Sequence, residues 1–279
     1  MSAPTDQIAA EREAYRAYFD AGVSALMSRM WGGNLHMGMF INAEETLAKA
    51  QSRLKNHIAQ ALGLPPGGLV IEVACGVGTT AIFLAGEAGL RVHATNISDD
   101  QLNEARSRAT EAGVSDRVSF AVADYHALPE AGGSYDAWLC QEALLYASDR
   151  RQVFAEARRV LRPGGRLLFT DLTLSNAMPE RDRETLMRDI RAPHLWPPEA
   201  YASLVADTGL ACRERLESTA NVERTFAAVG RNLAALESEF RPRLGDRAFE
   251  EARMRIERQH AAASAGHLGW CLYCLEVGR

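Results

Sequence analysis

Two kinds of side chain in this sequence could do acid–base chemistry, and one backbone feature could hold a ligand. His36 and His126 are imidazoles, which exchange protons near neutral pH, and Glu142 offers a carboxylate four residues before the ring of Tyr146. The backbone feature is the pair Gly76 and Gly78 in residues 69–80, LVIEVACGVGTT. Leu69, Val70, Ile71 and Val73 form a β-branched run that predicts a buried strand, and residues 79–87 predict a helix. A strand feeding a glycine turn and a helix aims backbone N–H groups and a positive dipole end at a ligand. Glycine is required there because a Cβ would block the ligand's approach.

The elements that must position these groups alternate along the chain. Apolar residues at helical spacing (Ile8, Tyr15, Phe19, Val23, Leu26, Met30) predict one or two amphipathic helices over 8–30, interrupted near Gly22. Residues 31–40, WGGNLHMGMF, suit neither helix nor strand and predict a structured loop carrying His36. A helix over 43–62 stops at the Gly/Pro cluster 63–68. Strands are expected at 91–97, 117–123, 135–140 and 166–171, with helices capped by Ser98 and Asp149. A helix over 199–208 and a strand over 210–218 come next. A long helix through Phe240 and another over 246–263 follow, and a last strand over 267–277 closes the chain.

Composition narrows the function classes. With 279 residues and a net charge of −5, the chain has no general attraction for nucleic acid. No apolar run is long enough for a membrane span, and the first fifteen residues lack the features of a signal peptide. Five cysteines without a framework fit reduced thiols in a cytoplasmic protein. Cys271 and Cys274 fall in the last expected strand, where residues three apart face opposite sides, so no metal site is expected.

The pattern acidic-x-small-x-Gly-x-Gly at Glu72, Ala74, Gly76 and Gly78 resembles the first motif of class I S-adenosylmethionine-dependent methyltransferases. The resemblance extends through D-x-x-x-L-P at Asp124 and R-P-G-G at 162–165, covering 65–172 closely and the flanks loosely. It implies an α/β fold, a seven-stranded Rossmann-like sheet of order 3-2-1-4-5-7-6 with the last strand antiparallel. The organisation expected with it is N-terminal helices and lid loop (1–64), a cofactor-binding core (65–220), a helical cap insert (221–263) and a last core strand (264–279). It implies S-adenosylmethionine as cofactor and S-adenosylhomocysteine as product. Glu72, Ala74, Gly76, Gly78, Gln101 and Gln141 would line that cofactor, Asn96 would meet the ribose, and Asp124 and Tyr125 the adenine.

The loop G-G-N-L-H-x-G is similar to a segment of small-molecule enzymes, including glycine/sarcosine N-methyltransferase-like and sugar O-methyltransferases, where it lies beside the acceptor. Three readings of the acceptor stay open. In the first, a metabolite amine or hydroxyl loses its proton to His36 or His126. In the second, the segment from Cys140 to Tyr146 resembles that of prenyl diphosphate C-methyltransferases, in which Glu142 and Tyr146 would stabilise a carbocation. Arg191, His194, Arg224 and Arg231 would then bind the diphosphate, the one case in which Mg²⁺ would enter. The third is a cyclase or binding protein on the same fold. Tyr18 and Trp31 complete the expected acceptor contacts, and the protein is expected as a monomer or homo-oligomer with a small-molecule substrate.

Overall fold

The computed structural model describes residues 24–192 and 194–278. Its centre is a seven-stranded sheet of order β3-β2-β1-β4-β5-β7-β6. The strands are β1 (Leu69–Val73), β2 (Arg91–Asn96), β3 (Val118–Val122), β4 (Tyr135–Gln141), β5 (Leu161–Leu174), β6 (Ala211–Glu217) and β7 (Leu268–Glu276). The first five run parallel, and β7 pairs antiparallel with both β5 and β6. The order and the single reversed strand are those expected. Val70, Ile71 and Val73 are all buried because helices cover both faces of the sheet, so a continuous apolar run replaces alternation.

One face is covered by α2 (Leu47–Leu62), α3 (Thr79–Gly86) and α4 (Asp99–Glu111), the other by α5 (Arg150–Val160) and α7 (Pro198–Thr208). Thr46 caps α2 by accepting from the Lys49 amide, and the chain leaves the helix through Gly63 at φ +54°. Ser98 and Asp149 cap α4 and α5 as expected, each accepting an amide three residues on. Cys271 belongs to one apolar layer and Cys274 to the other, on opposite faces of β7.

Several elements differ from expectation. Strand β5 runs on to Leu174 because β7 pairs with it through Leu174 and Leu268. Its R-P-G-G segment loops out between the Tyr135–Leu161 and Ala137–Arg166 pairs. Helix α6 (Glu180–Ile190) was not expected: its sequence is mostly charged, and Leu186 is its buried residue. The long helix of the insert breaks at Leu236 into α8 (Ala220–Ala235) and α9 (Glu237–Leu244), before α10 (Asp246–Ser264). The break turns Phe240 inward, and Arg241 ties α9 to α10 through Asp246 and Glu250. Of the helices expected over 8–30, α1 (Ser24–Met30) is seen; the earlier part, with Tyr18, lies outside the described residues.

The segment 29–40 packs on the insert. Asn232 donates to the Met30 carbonyl at 2.8 Å, Arg29 pairs with Glu239 at 2.6 Å, and Trp31 meets Phe226 edge-on at 5.8 Å. The Gly38 amide donates to Thr225 Oγ1 and the Phe40 amide to Asn221 Oδ1.

Candidate active site

A cavity of about 880 Å³ opens at the carboxyl ends of β1, β2 and β4, where open parallel sheets bind ligands. The glycine turn forms its floor. Ala74 and Gly76 line it, at φ +52° and +56°. A Cβ on Gly76 would meet nothing within 4 Å, so it would project into the cavity. Gly78 serves packing instead. A Cβ there would lie 2.9 Å from the Phe120 ring and 3.0 Å from Ala105, so this glycine lets α3 sit close to β3 and α4. Glu72 also lies off the wall, buried beneath the turn, where it accepts the Ala81 amide. Burial pushes its carboxyl up to about 8, against the lowering effect of that amide.

Three side chains at one end of the cavity form a polar wall. Asn96 donates to Gln101 Oε1 at 2.7 Å and accepts the Ile97 amide at 2.9 Å. Asp124 Oδ1 accepts both the backbone amide and the Nδ1 of His126, while Tyr125 donates to the Ala143 carbonyl. His126 Nε2 faces the Asp149 amide at 3.5 Å, so both ring nitrogens are engaged within the protein. That arrangement makes His126 a brace for Asp124 and departs from its expected role as a base.

Gln141, at the end of β4, is buried and lines the cavity, and neither its Oε1 nor its Nε2 has a hydrogen-bond partner among the described residues. Leaving such an amide unpaired costs on the order of 1–3 kcal/mol, a cost that a polar ligand would offset. Glu142 follows at φ +44°, a left-handed conformation that is strained for a residue with a Cβ. Its amide bonds the Thr170 carbonyl at 2.8 Å, which fixes the turn.

The Glu142 carboxylate then meets three donors from three elements. Thr170 Oγ1 on β5 donates to Oε1 at 2.7 Å, Trp270 Nε1 on β7 to the same oxygen at 2.8 Å, and His36 Nδ1 lies 2.6 Å from Oε2. Burial alone would raise this carboxyl, but the His36 charge and the three donors outweigh it and hold it below its ordinary 4.5. Glu142 is therefore an ionised acceptor at neutral pH, with two donors on Oε1 and one on Oε2. A carboxylate can only accept, so His36 Nδ1 is the donor of this contact and Nε2 is the ring nitrogen that the contact leaves over.

The loop holding His36 is fixed from below. Gln51, a polar residue within the buried stripe of α2, lies within hydrogen-bonding distance of the Trp31, Asn34 and His36 carbonyls, at 3.4, 2.7 and 2.9 Å. Asn34 Oδ1 accepts the His36 amide and the Thr79 hydroxyl, joining the loop to α3. Trp31, Tyr146 and Arg191 also line the cavity. Arg224, Arg231 and His194 do not: Arg224 reaches the Phe40 carbonyl at 3.5 Å, Arg231 is exposed on α8, and the His194 carbonyl receives Arg150 from beyond the sheet.

Residues 70–165 match a family model described as a methyltransferase domain, and they contain the glycine turn and the polar wall. Over those residues the chain is similar to methyltransferase domains. Methyltransferase GfsG of Streptomyces halstedii is 37% identical over 163 residues, 58% of this chain and 58% of that one, so the chain matches little more than half of that relative's length. A sarcosine/dimethylglycine N-methyltransferase of Aphanothece halophytica is 27% identical over 91% of this chain and 92% of its own. The crystal structure of a putative sarcosine dimethylglycine methyltransferase from Galdieria sulphuraria superposes with a TM-score of 0.82 at 20% identity, covering 96% and 98% of the two chains, which shows the shared fold. The open space at Gly76 and the Gln141 amide, without a partner among the described residues, would suit S-adenosylmethionine, which brings a nucleoside and a polar amino-acid end.

Two features of the site were not read from the sequence. Thr170 and Trp270 hold Glu142 from strands far along the chain, and nothing in their own neighbourhoods marks them. Gln51 could have been found, as the one polar residue at the buried positions Leu47, Ala50, Gln51, Leu54, Ile58 and Leu62.

Proposed function

We propose that this protein is an S-adenosylmethionine-dependent methyltransferase acting on a hydroxyl or amine of a small molecule, with His36 as general base and Glu142 as its positioning carboxylate. The observation that carries the reading is the His36–Glu142 contact at 2.6 Å on the cavity wall, which leaves Nε2 as the nitrogen available to an acceptor. When bound, S-adenosylmethionine supplies an electrophilic methyl group. The chain's own residues hold and orient both partners, a contribution worth several kcal/mol of the barrier. Gln141 would take the amino-acid end of the cofactor, Asn96 with Gln101 the ribose, and Asp124 with Tyr125 the adenine. His36 Nε2 would accept the proton that an O–H or N–H acceptor must lose, and Glu142 would stabilise the imidazolium formed.

The division of the chain into an N-terminal lid, a core, a cap insert and a final strand fits this reading, because 29–40 and the insert pack together over the cavity. Carbon methylation of a prenyl diphosphate fits less well. Arg224, Arg231 and His194, which would hold the diphosphate, are not on the cavity wall, and the Glu142 carboxylate already accepts from three donors.

The test is incubation of the protein with methyl-labelled S-adenosylmethionine and a panel of phenols, alcohols, amines and prenyl diphosphates. Label in a phenol, alcohol or amine, lost in His36→Gln, supports the proposal. Label in a prenyl diphosphate alone, with His36→Gln still active, would overturn it.

A further inference from the structure

The cavity continues past His36 into the cap, and its lining changes character there. Phe226 of α8 and Phe240 of α9 face α10, which presents Ala248, Ala252 and Ile256 along one stripe. Glu251, Arg255 and Gln259 form a parallel stripe on the same helix, also on the wall. These positions repeat every three to four residues, so a single helix face about 16 Å long borders the acceptor space. An acceptor lying along it is mostly apolar.

The polar stripe is unevenly satisfied. Glu251 pairs with Arg247 at 3.0 Å, and elsewhere on the wall Arg243 pairs with Glu239 at 3.4 Å and Asp189 with Arg258 at 2.6 Å. Arg255, half-buried, has no ion pair or hydrogen bond among the described residues. Gln259, one helical turn on, is 9% exposed and its amide likewise has no partner among them. A guanidinium and a buried amide on one face, both without partners, leave a donor set that matches a planar oxyanion: Arg offers a fork of N–H groups and Gln an NH₂. The wall also carries the acidic side chains Glu104, Asp124, Glu142, Asp189 and Glu251, against the arginines Arg191, Arg243 and Arg255. Each of those acids has a basic partner, so the guanidinium of Arg255 is left to balance the single charge of a carboxylate and falls short of the two charges of a phosphate dianion.

We propose that Arg255 and Gln259 form the specificity subsite for the acceptor, which is a largely apolar molecule bearing a carboxylate. The proposal rests on the methyltransferase reading for which molecule occupies the inner half of the cavity. Its test separates the two. Calorimetry on the protein saturated with S-adenosylhomocysteine compares octanoate with octanol, which share a chain and differ in the anion. Octanoate is expected to bind at least about tenfold tighter. Arg255→Met is expected to remove that preference, with octanol and S-adenosylhomocysteine binding unchanged, and Gln259→Leu to reduce it less. Equal binding of the two probes, binding of neither, or an undiminished preference in Arg255→Met would overturn the subsite. Failure of S-adenosylhomocysteine to bind would instead overturn the cofactor reading, and the octanoate comparison on the protein alone would still decide the subsite.

Discussion

His36 Nδ1 lies 2.6 Å from Glu142 Oε2, although 106 positions separate the two residues. The contact joins a loop before the sheet to a strained turn after its fourth strand, and it engages Nδ1 while leaving Nε2 over. His36→Gln should lower turnover by about 10²–10⁴-fold while S-adenosylhomocysteine affinity stays within error. Glu142→Gln should also lower turnover, because an amide can donate to Nδ1 and so place the proton on Nε2. Steady-state kinetics beside calorimetry check both, and full activity in either variant would remove the base.

Gln141 is a buried amide with no partner among the described residues, a liability that a polar ligand would relieve. Gln141→Leu should therefore raise the stability of the ligand-free protein by about 1 kcal/mol and at the same time weaken S-adenosylhomocysteine binding by about tenfold or more. Thermal melts with and without the ligand measure the two effects in one experiment. A melt that moves the same way in both conditions would contradict this role.

Gly76 has open space where a side chain would go, and that space is the cavity. Gly76→Ala should cost about 1–2 kcal/mol of stability from the left-handed backbone and should also weaken S-adenosylhomocysteine binding. Gly78→Ala should be the more destabilising of the two, because its Cβ would strike Phe120 and Ala105. Denaturant titration ranks them.

Glu72 carries a pH signature. Its carboxyl sits at about 8 in the folded protein against an ordinary 4.5, so between those values the folded state holds a proton that the unfolded state has released. Its contribution is fully present below about 4.5 and is lost as pH rises through about 8. Glu72→Gln should flatten this decline and stabilise the protein near pH 8 by a few kcal/mol, with little change below pH 4.5. Denaturant melts across this range check the slope.

Much of the fold was written in local patterns. The β-branched run before Gly76, the capping residues Ser98 and Asp149, and the strand–helix alternation each act over a few residues, and each reappears in the structure. The sheet order followed from the resemblance those patterns carry. Helix α6 escaped notice because its sequence is mostly charged, and the break at Leu236 because its apolar spacing runs unbroken into Phe240.

By itself the sequence determined the strand–turn–helix, the polar positions at the strand ends and the presence of a loop carrying His36, since spacing and residue type are local properties of a chain. Tertiary structure alone decided which histidine is free to act. His36 and His126 look alike in sequence, yet packing commits both nitrogens of His126 to Asp124 and Asp149 and only Nδ1 of His36 to Glu142. It also decided that Arg224 and Arg231 face away from the cavity while Arg255 faces it. Hydrogen bonds and burial between residues a hundred or more positions apart exist only once the sheet has closed, and no local pattern encodes them.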